Sequence, residues 1–369
     1  MKQDTIYVGI DDSKRKLVIG TLGPDDTQPL VRTIANEPRA IRRFIQRLKR
    51  QGLLRACYEA GPSGYDLHRQ LTALGVACQV VAPSLTPRRP GERIKTDRRD
   101  ALKLVHLFRA GELTPIRVPD EAEEAVRDLV RCRGNAQKEA LRWRQRLVKF
   151  LDRHGRPYRE GSHWTQAHWR WLNTQDFTQP TLQFTLDTYR FTLEQALFRQ
   201  AEMEREIGAL AQSPPYKEPV GWLRCFRGID TLSAMILMAE IQDFKRFPTA
   251  PDLMGYLGLV PSEHSTGEHV RRGPLTKTGN GHARRILIEA AWHYQHRARL
   301  SKSLAARTKG QPPEVVAHAW KTQVRLHRRY YRLLARGKRP SVAVAAVARE
   351  LTGFIWAAMT QTACARKAA

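Results

Sequence analysis

The sequence predicts an α/β N-terminal domain, a long helical middle region and a mainly α-helical C-terminal domain, with boundaries at 1–118, 119–213 and 214–369. Three observations carry that reading. Up to about residue 110, short β-branched and apolar runs alternate with helical patterns. Two long stretches with apolar residues every three or four positions follow. Beyond Pro214-Pro215 the patterning is helical again and strongly basic.

Residues 5–10 (TIYVGI) read as a buried strand, 15–22 (RKLVIGTL) as a second and 28–34 (QPLVRTI) as a third, after the turn signal Gly23-Pro24-Asp25-Asp26. A helix follows over 37–50, with Ile41, Phe44, Ile45 and Leu48 on one face. Strand four is 54–59, a helix covers 64–74, and strand five is 76–82. After a Pro-rich basic loop, a helix runs from Asp97 to about Ala110. Three meandering strands followed by alternating units imply a mixed sheet carrying helices. That order is the one found in ribonuclease-H-like folds.

The middle region reads as one helix over 120–154, with a break near Arg133, and another over 181–211. They are separated by a connector containing Trp164, Trp169 and Trp171. The two helices predict an antiparallel hairpin or coiled coil. Short helices then cover 219–257, a loop spans Gly258 to Gly281, and a helix covers 282–300. Basic helices and an apolar helix near 341–359 close the chain.

Charge narrows the class of partner. Lys and Arg number 63 against 36 acids, a net +27. Between Arg271 and Arg339 there are eighteen Lys and Arg against two acids. Natural surfaces intersperse the two signs, so the excess points to a polyanion, and nucleic acid is the first reading. A second cluster includes Arg88, Arg89, Lys95 and Arg98. With no run of eighteen apolar residues seen, a membrane partner is not expected. Five scattered cysteines (57, 78, 132, 225, 364) with no Cys-x-x-Cys pair fit a reducing cytoplasm.

Four acids stand out. Asp11 ends the first strand, Glu59 ends the fourth, and Asp97 and Asp100 share one face of the helix that follows the fifth. In a ribonuclease-H-like sheet, strands one and four are neighbours and that helix packs across their ends, so the four can converge. Clustered carboxylates hold Mg²⁺, and two such ions serve phosphodiester displacement. The ordinary alternative is an N-cap role for Asp97 and turn roles for Asp11 and Asp12. Asp12 itself points away from any such site, because neighbouring strand residues face opposite sides.

The stretch Pro261 to Gly281 gathers hydroxyl residues, four glycines, Arg271, Arg272 and Lys277. Its Gly279-Asn280-Gly281 turn opens a helix carrying Arg284 and Arg285 and can offer backbone N–H groups to a phosphate. It is not a Walker A loop, since that spacing is absent.

The strings Val8-Gly9-Ile10-Asp11, Tyr58-Glu59-Ala60-Gly61-Pro62-Ser63-Gly64 and Lys95-Thr96-Asp97-Arg98-Arg99-Asp100-Ala101 resemble those of the DEDD transposases of bacterial insertion sequences. Tyr256 to Glu263 with Ser265-Thr266-Gly267, Leu275 to Asn280 and Ala348 to Phe354 do so as well, and in the same order. The resemblance implies a RuvC-like nuclease domain, a coiled-coil middle and a C-terminal transposase domain. It also implies Asp11, Glu59, Asp97 and Asp100 as catalytic ligands of two Mg²⁺ ions, and a serine nucleophile that forms a covalent link to DNA. The implied partners are donor and target DNA, a structured guide ("bridge") RNA, and a second copy of the chain, with dimers pairing into a tetramer. In many members serine directly precedes the glycine, where this chain has Thr266. The nucleophile is therefore Ser265, Thr266 or Ser262, with Ser265 preferred. The rival functions are a structure-selective endonuclease using water, and a non-catalytic nucleic-acid-binding protein.

Overall fold

The alternating runs at the N-terminus build one five-stranded sheet in the computed structural model, which describes residues 5–87, 96–267 and 269–365. The strands are β1 (Thr5–Asp12), β2 (Lys16–Leu22), β3 (Leu30–Ala35), β4 (Leu53–Glu59) and β5 (Ala77–Val81). Helix α1 (Pro38–Lys49) lies between β3 and β4, α2 (Asp66–Ala73) between β4 and β5, and α3 (Asp97–Ala110) follows β5. The sheet order is β3-β2-β1-β4-β5. β1 runs antiparallel to β2 and parallel to β4, the neighbour relation expected of a ribonuclease-H-like sheet.

Strand alternation sorts the two faces. Ile6, Val8 and Ile10 of β1, with Leu17 and Ile19 of β2, bury against Ile41, Phe44 and Ile45 of α1 and Leu67 and Leu71 of α2. Cys57 and Val81 face the other way and pack on Leu104 and Phe108 of α3. These residues make up Met1–Asp120, one of two compact units.

The second unit is Glu121–Ala369. Helix α4 (Glu121–Arg153) runs through Arg133 without the expected break. The Arg133 side chain is buried, and its guanidinium donates to Glu204 Oε1 and, at 2.7 Å, to Gln137 Oε1. A satisfied buried arginine continues the helix, where an apolar periodicity alone reads as interrupted. Helix α5 (Gln166–Asn173) occupies the connector, and α6 (Pro180–Leu210) packs beside α4 through Leu147, Phe150, Leu151, Leu186 and Leu193. Trp164, Trp169 and Trp171 pack half-buried against this same cluster.

Helices α7 (Lys217–Leu223), α8 (Thr231–Ile241) and α9 (Ala250–Tyr256) lead to a small hairpin of β6 (Pro261–Glu263) and β7 (Arg272–Leu275), embedded in what reads as a loop. Then follow α10 (Gly281–Trp292), α11 (Lys302–Thr308), α12 (Pro313–Ala335) and α13 (Pro340–Ala365). The helix expected to reach residue 300 stops at Trp292, because the chain tightens into a 3-10 turn, His293–Gln295, that buries Tyr294 completely. Helix α13 corrects the expectation of no membrane-length segment: Pro340–Thr360 is long and apolar enough to cross one. Half of that segment is buried in the unit, where Val344, Val347, Leu351 and Ile355 join Leu237, Leu253, Leu287 and Leu326 in the core.

Candidate active site

Two glycines set the geometry of the acids. Gly9 of β1 and Gly20 of β2 are register partners. A Cβ on Gly9 would stand 2.5 Å from Val105 N and 2.9 Å from Ala101 O, and one on Gly20 would stand 3.0 Å from Ala101 O. The missing side chains let the α3 backbone lie directly on the β1–β2 pair. Tyr7 and Phe108 pack edge to face at 5.6 Å on the same side. Asp11 lies two residues beyond Gly9, so it shares that face. On β4, Arg55 stands over Phe108 and Cys57 packs on Leu104, which places Glu59 on the α3 face as well. Ile10 and Tyr58 are partners, so Asp11 and Glu59 sit at the same end of adjacent strands.

Asp97 and Asp100 occupy the first turn of α3, with Arg98 exposed between them. The N-cap is Thr96, whose Oγ1 accepts from Arg99 N at 3.3 Å, so capping does not account for Asp97. Asp12 faces the opposite side and accepts from Asn36 Nδ2 at 3.1 Å.

The acids share a face and an end, but they do not close on a point. Among the described residues no group of three or more His, Cys, Asp or Glu side chains is gathered closely enough to hold a metal ion. One cation already at the site is Lys16, whose Nζ lies 2.7 Å from Asp97 Oδ2. The hydrogen bond to Asp97 raises the Lys16 pKa, the Asp97 charge adds to it, and Asp11 contributes further. Sequence reading missed Lys16. Its signal was the alternation of Lys16, Val18 and Gly20, which puts the lysine on the face of Asp11. Four carboxylates are the hard oxygen donors that a divalent cation takes, and the resident ammonium marks where positive charge is held. Of the basic residues assigned to this region, Arg88, Arg89 and Lys95 lie outside the described residues.

The hydroxyl residues lie on the β6–β7 hairpin. Glu263 pairs with Arg272, and His264 N donates to Arg271 O at 2.9 Å. Ser265 Oγ donates to Glu263 Oε1 at 2.8 Å, while Arg272 Nε stands 3.7 Å from Glu263 Oε2. Thr266 exchanges backbone hydrogen bonds with His269 around Gly267. Ser262 Oγ lies under Gly273, where a Cβ would approach it to 2.3 Å. Ser265 is thus the candidate whose hydroxyl has a carboxylate partner in the hydrogen bonds described. Glu263 was overlooked in sequence because an acid two residues away is unremarkable without the hairpin.

The hairpin is fastened at its base. Gly258 (φ +62°) and Gly279 (φ +72°) cross the opposite strand so closely that a Cβ would stand 2.3 Å from Thr278 O and 2.0 Å from Tyr256 O respectively. Lys277 also adopts a left-handed φ of 54°, and its N–H donates to Gly258 O at 3.2 Å. Arg284, expected to bind nucleic acid, donates from Nη1 to Leu257 O at 2.8 Å and Thr278 O at 3.0 Å, bridging the two ends. Arg285 pairs with Glu289 at 2.8 Å. The Gly279-Asn280-Gly281 turn is not an open phosphate cradle: Asn280 caps α10 by accepting from Ala283 N at 3.0 Å, and Arg284 N donates to Asn280 O.

Beneath that base lies a buried carboxylate. Glu240 of α8 accepts from Arg131 Nε at 2.8 Å and Nη2 at 2.9 Å, and from Asn280 Nδ2 at 2.8 Å. Its carbonyl accepts from Tyr256 Oη at 3.2 Å. Burial pushes the Glu240 carboxyl up, but the Arg131 and Asn280 hydrogen bonds and the Arg131 charge outweigh it and hold the group below the ordinary range. Through its carboxylate and its carbonyl together, Glu240 thereby ties α4, α8 and both ends of the hairpin base.

Comparison with known proteins matches two stretches of the chain, the first reaching past Asp120 into α4. A DEDD transposase profile matches residues 8–155, which hold all four acids. The profile described as "Transposase IS116/IS110/IS902 family" matches residues 222–306, which hold the hairpin. "Putative transposase y4qE" of Sinorhizobium fredii is 41% identical over 354 residues, covering 95% of this chain and 87% of its own. "Transposase for insertion sequence element IS1533" of Leptospira borgpetersenii is 36% identical over 339 residues, covering 90% of this chain and 98% of its own. The first unit therefore has a RuvC/ribonuclease-H-like fold, and the chain belongs to the IS110 family of DEDD transposases, enzymes that act on DNA.

Proposed function

We propose that the chain mobilises an insertion element by Mg²⁺-dependent cleavage and rejoining of DNA strands, with Ser265 forming a transient covalent link to DNA and a structured RNA selecting the sites. The supporting observation is the shared face and end of Asp11, Glu59, Asp97 and Asp100, enforced by strand register and the Gly9–Gly20 seat of α3. These acids would hold two Mg²⁺ ions, which supply charge neutralisation and oxygen activation at phosphorus.

The chain's own groups account for the remaining steps. Lys16 holds Asp97 in place until metal and phosphate arrive. Ser265 Oγ bonds to phosphorus as the bond from phosphorus to the departing deoxyribose oxygen breaks. The bonding pair leaves on that oxygen, which takes a proton from water. The serine proton passes to Glu263 Oε1, already 2.8 Å away. Rejoining reverses these steps. Arg271, Arg272 and Lys277 hold the phosphate backbone near the hairpin. Acids and serine come from different subunits of a dimer, and two dimers form the working assembly.

Covalent capture tests the proposal. The protein is incubated with Mg²⁺, its element's flanking RNA and a suicide DNA substrate, and any adduct is mapped. An adduct at Ser265 that disappears in Ser265→Ala and slows in Glu263→Gln is expected. Adducts at Thr266 or Ser262 would move the nucleophile. Metal-dependent cleavage with no adduct would replace the serine mechanism with attack by water.

A further inference from the structure

We infer that the outer face of α12 is a binding site for single-stranded nucleic acid, in which an unpaired base stacks on Trp320 while Lys321, Arg325, Arg328 and Arg332 take successive phosphates. The groove encloses about 530 Å³ and is lined by these residues with Val324, Arg329 and Glu350.

Spacing comes first. Positions 321, 325, 328 and 332 recur at four, three and four residues, so their side chains form one stripe along the helix. From Lys321 to Arg332 the helix rises about 16 Å, roughly the length of five stacked nucleotides. All four cations are exposed.

Charge comes second. Glu350 is the one acid lining the groove, and it is shared between Arg325 and Arg329. One carboxylate against five cations leaves a strong positive field. In the same wall, Arg329 Nε is buried without a hydrogen-bond partner, 3.7 Å from Glu350 Oε2.

The third feature is the aromatic ring. Trp320 is 43% exposed beside the cationic stripe. Trp164, Trp169 and Trp171, by contrast, are packed into a protein cluster. An exposed indole next to phosphate-spaced cations is the arrangement that reads unpaired strands, because every unpaired base offers a face and a paired one does not. The buried side of α12, with Val315, Ala319, Leu326 and Tyr330, belongs to the core and is left intact by changes on the outer face.

This inference requires neither the metal nor the serine assignment, since binding precedes chemistry. The test uses the full-length protein and labelled ten-nucleotide strands of RNA, of DNA and of duplex DNA, with anisotropy read across a salt series. Trp320→Ala should weaken single-strand binding about tenfold, Trp320→Phe should restore most of it, and neither should alter duplex binding. The triple variant K321Q/R328Q/R332Q should lower the single-strand salt slope by about 2, at about 0.7 for each phosphate no longer neutralised. Tighter binding of RNA than DNA would assign the site to a guide strand, and equal binding to any unpaired strand. An unchanged slope in the triple variant, or equal weakening of duplex and single-strand binding in Trp320→Ala, would overturn the inference.

Discussion

The acid face of the first unit and the hairpin of the second solve the same problem in different ways. Each holds side-chain oxygen atoms in place where they are partly or fully exposed. The acid face does so by regular structure: strand register and the contact of α3 with Gly9 and Gly20 fix where Asp11, Glu59, Asp97 and Asp100 begin. The hairpin is an exposed irregular excursion, and its accuracy comes from its base, where Gly258, Gly279, Arg284 and Glu240 bind the two ends together. The comparison teaches that a site on regular elements is specified by residues near it in sequence. A site on a loop depends on residues far from it.

If the comparison is right, damage to each region stays in its own unit. The largest effects should come from the close backbone crossings. Gly279→Ala adds a Cβ 2.0 Å from Tyr256 O at a left-handed φ. It should cost about 3 kcal/mol or more, read as a lowered urea midpoint of the second unit with the first unchanged. Gly9→Ala should do the reverse by lifting α3 off the sheet. A neutral result for either would show that the close approach is not needed.

Glu240→Ala comes next. It removes the buried carboxylate from an Arg131 guanidinium that is itself 42% exposed and can turn to water, so the loss should be about 1–3 kcal/mol. Its pH dependence sharpens the point. The hydrogen bonds from Arg131 and Asn280 hold the folded carboxyl low against the upward push of burial. Its contribution is therefore present in full above the ordinary carboxyl pKa of about 4.3 and is lost as pH falls through the lowered folded value. Acid titration of the second unit should show this limb, and Glu240→Gln should flatten it.

Asp97→Asn should abolish Mg²⁺ binding by calorimetry while leaving the urea midpoint nearly unmoved, because its partner Lys16 is solvent-exposed. A midpoint that falls with the metal affinity would make Asp97 a structural residue. The smallest effect is expected at the hairpin surface. Neutralising Arg271, Arg272 and Lys277 should weaken DNA binding moderately and reduce the salt slope by about 0.9 for each phosphate left unneutralised.

These regions also differ in how far the sequence exposes them. The order of strands and helices in the first unit and the start of α3 at Asp97 follow from period-two and helical patterning, and the pairing of β1 with β4 from the ribonuclease-H-like fold to which that order belongs. The outward side of Asp12 follows from the same alternation. Lys16 was readable by that rule too, yet a lysine on a strand draws no notice until Asp97 arrives beside it. In the second unit the long helices were legible and their polar joints were not. Arg133 read as a break because its partners, Glu204 and Gln137, are set by packing. The Glu240 hub joins residues 131, 240 and 280, a separation that no local pattern encodes. Arg284 looked like one more basic side chain, and only the fold shows its hydrogen bonds closing the hairpin.

The crossing of Gly258 and Gly279 makes the segment between them a closed loop hung from a clasp. Once such ends are fixed, added length is inexpensive, at about 0.6 kcal/mol per doubling. Insertions or exchanges near the Gly267 tip should therefore be tolerated far better than any change at the clasp. The hairpin can be swapped as a cassette: its tip is free to diversify while the body that carries it stays constant.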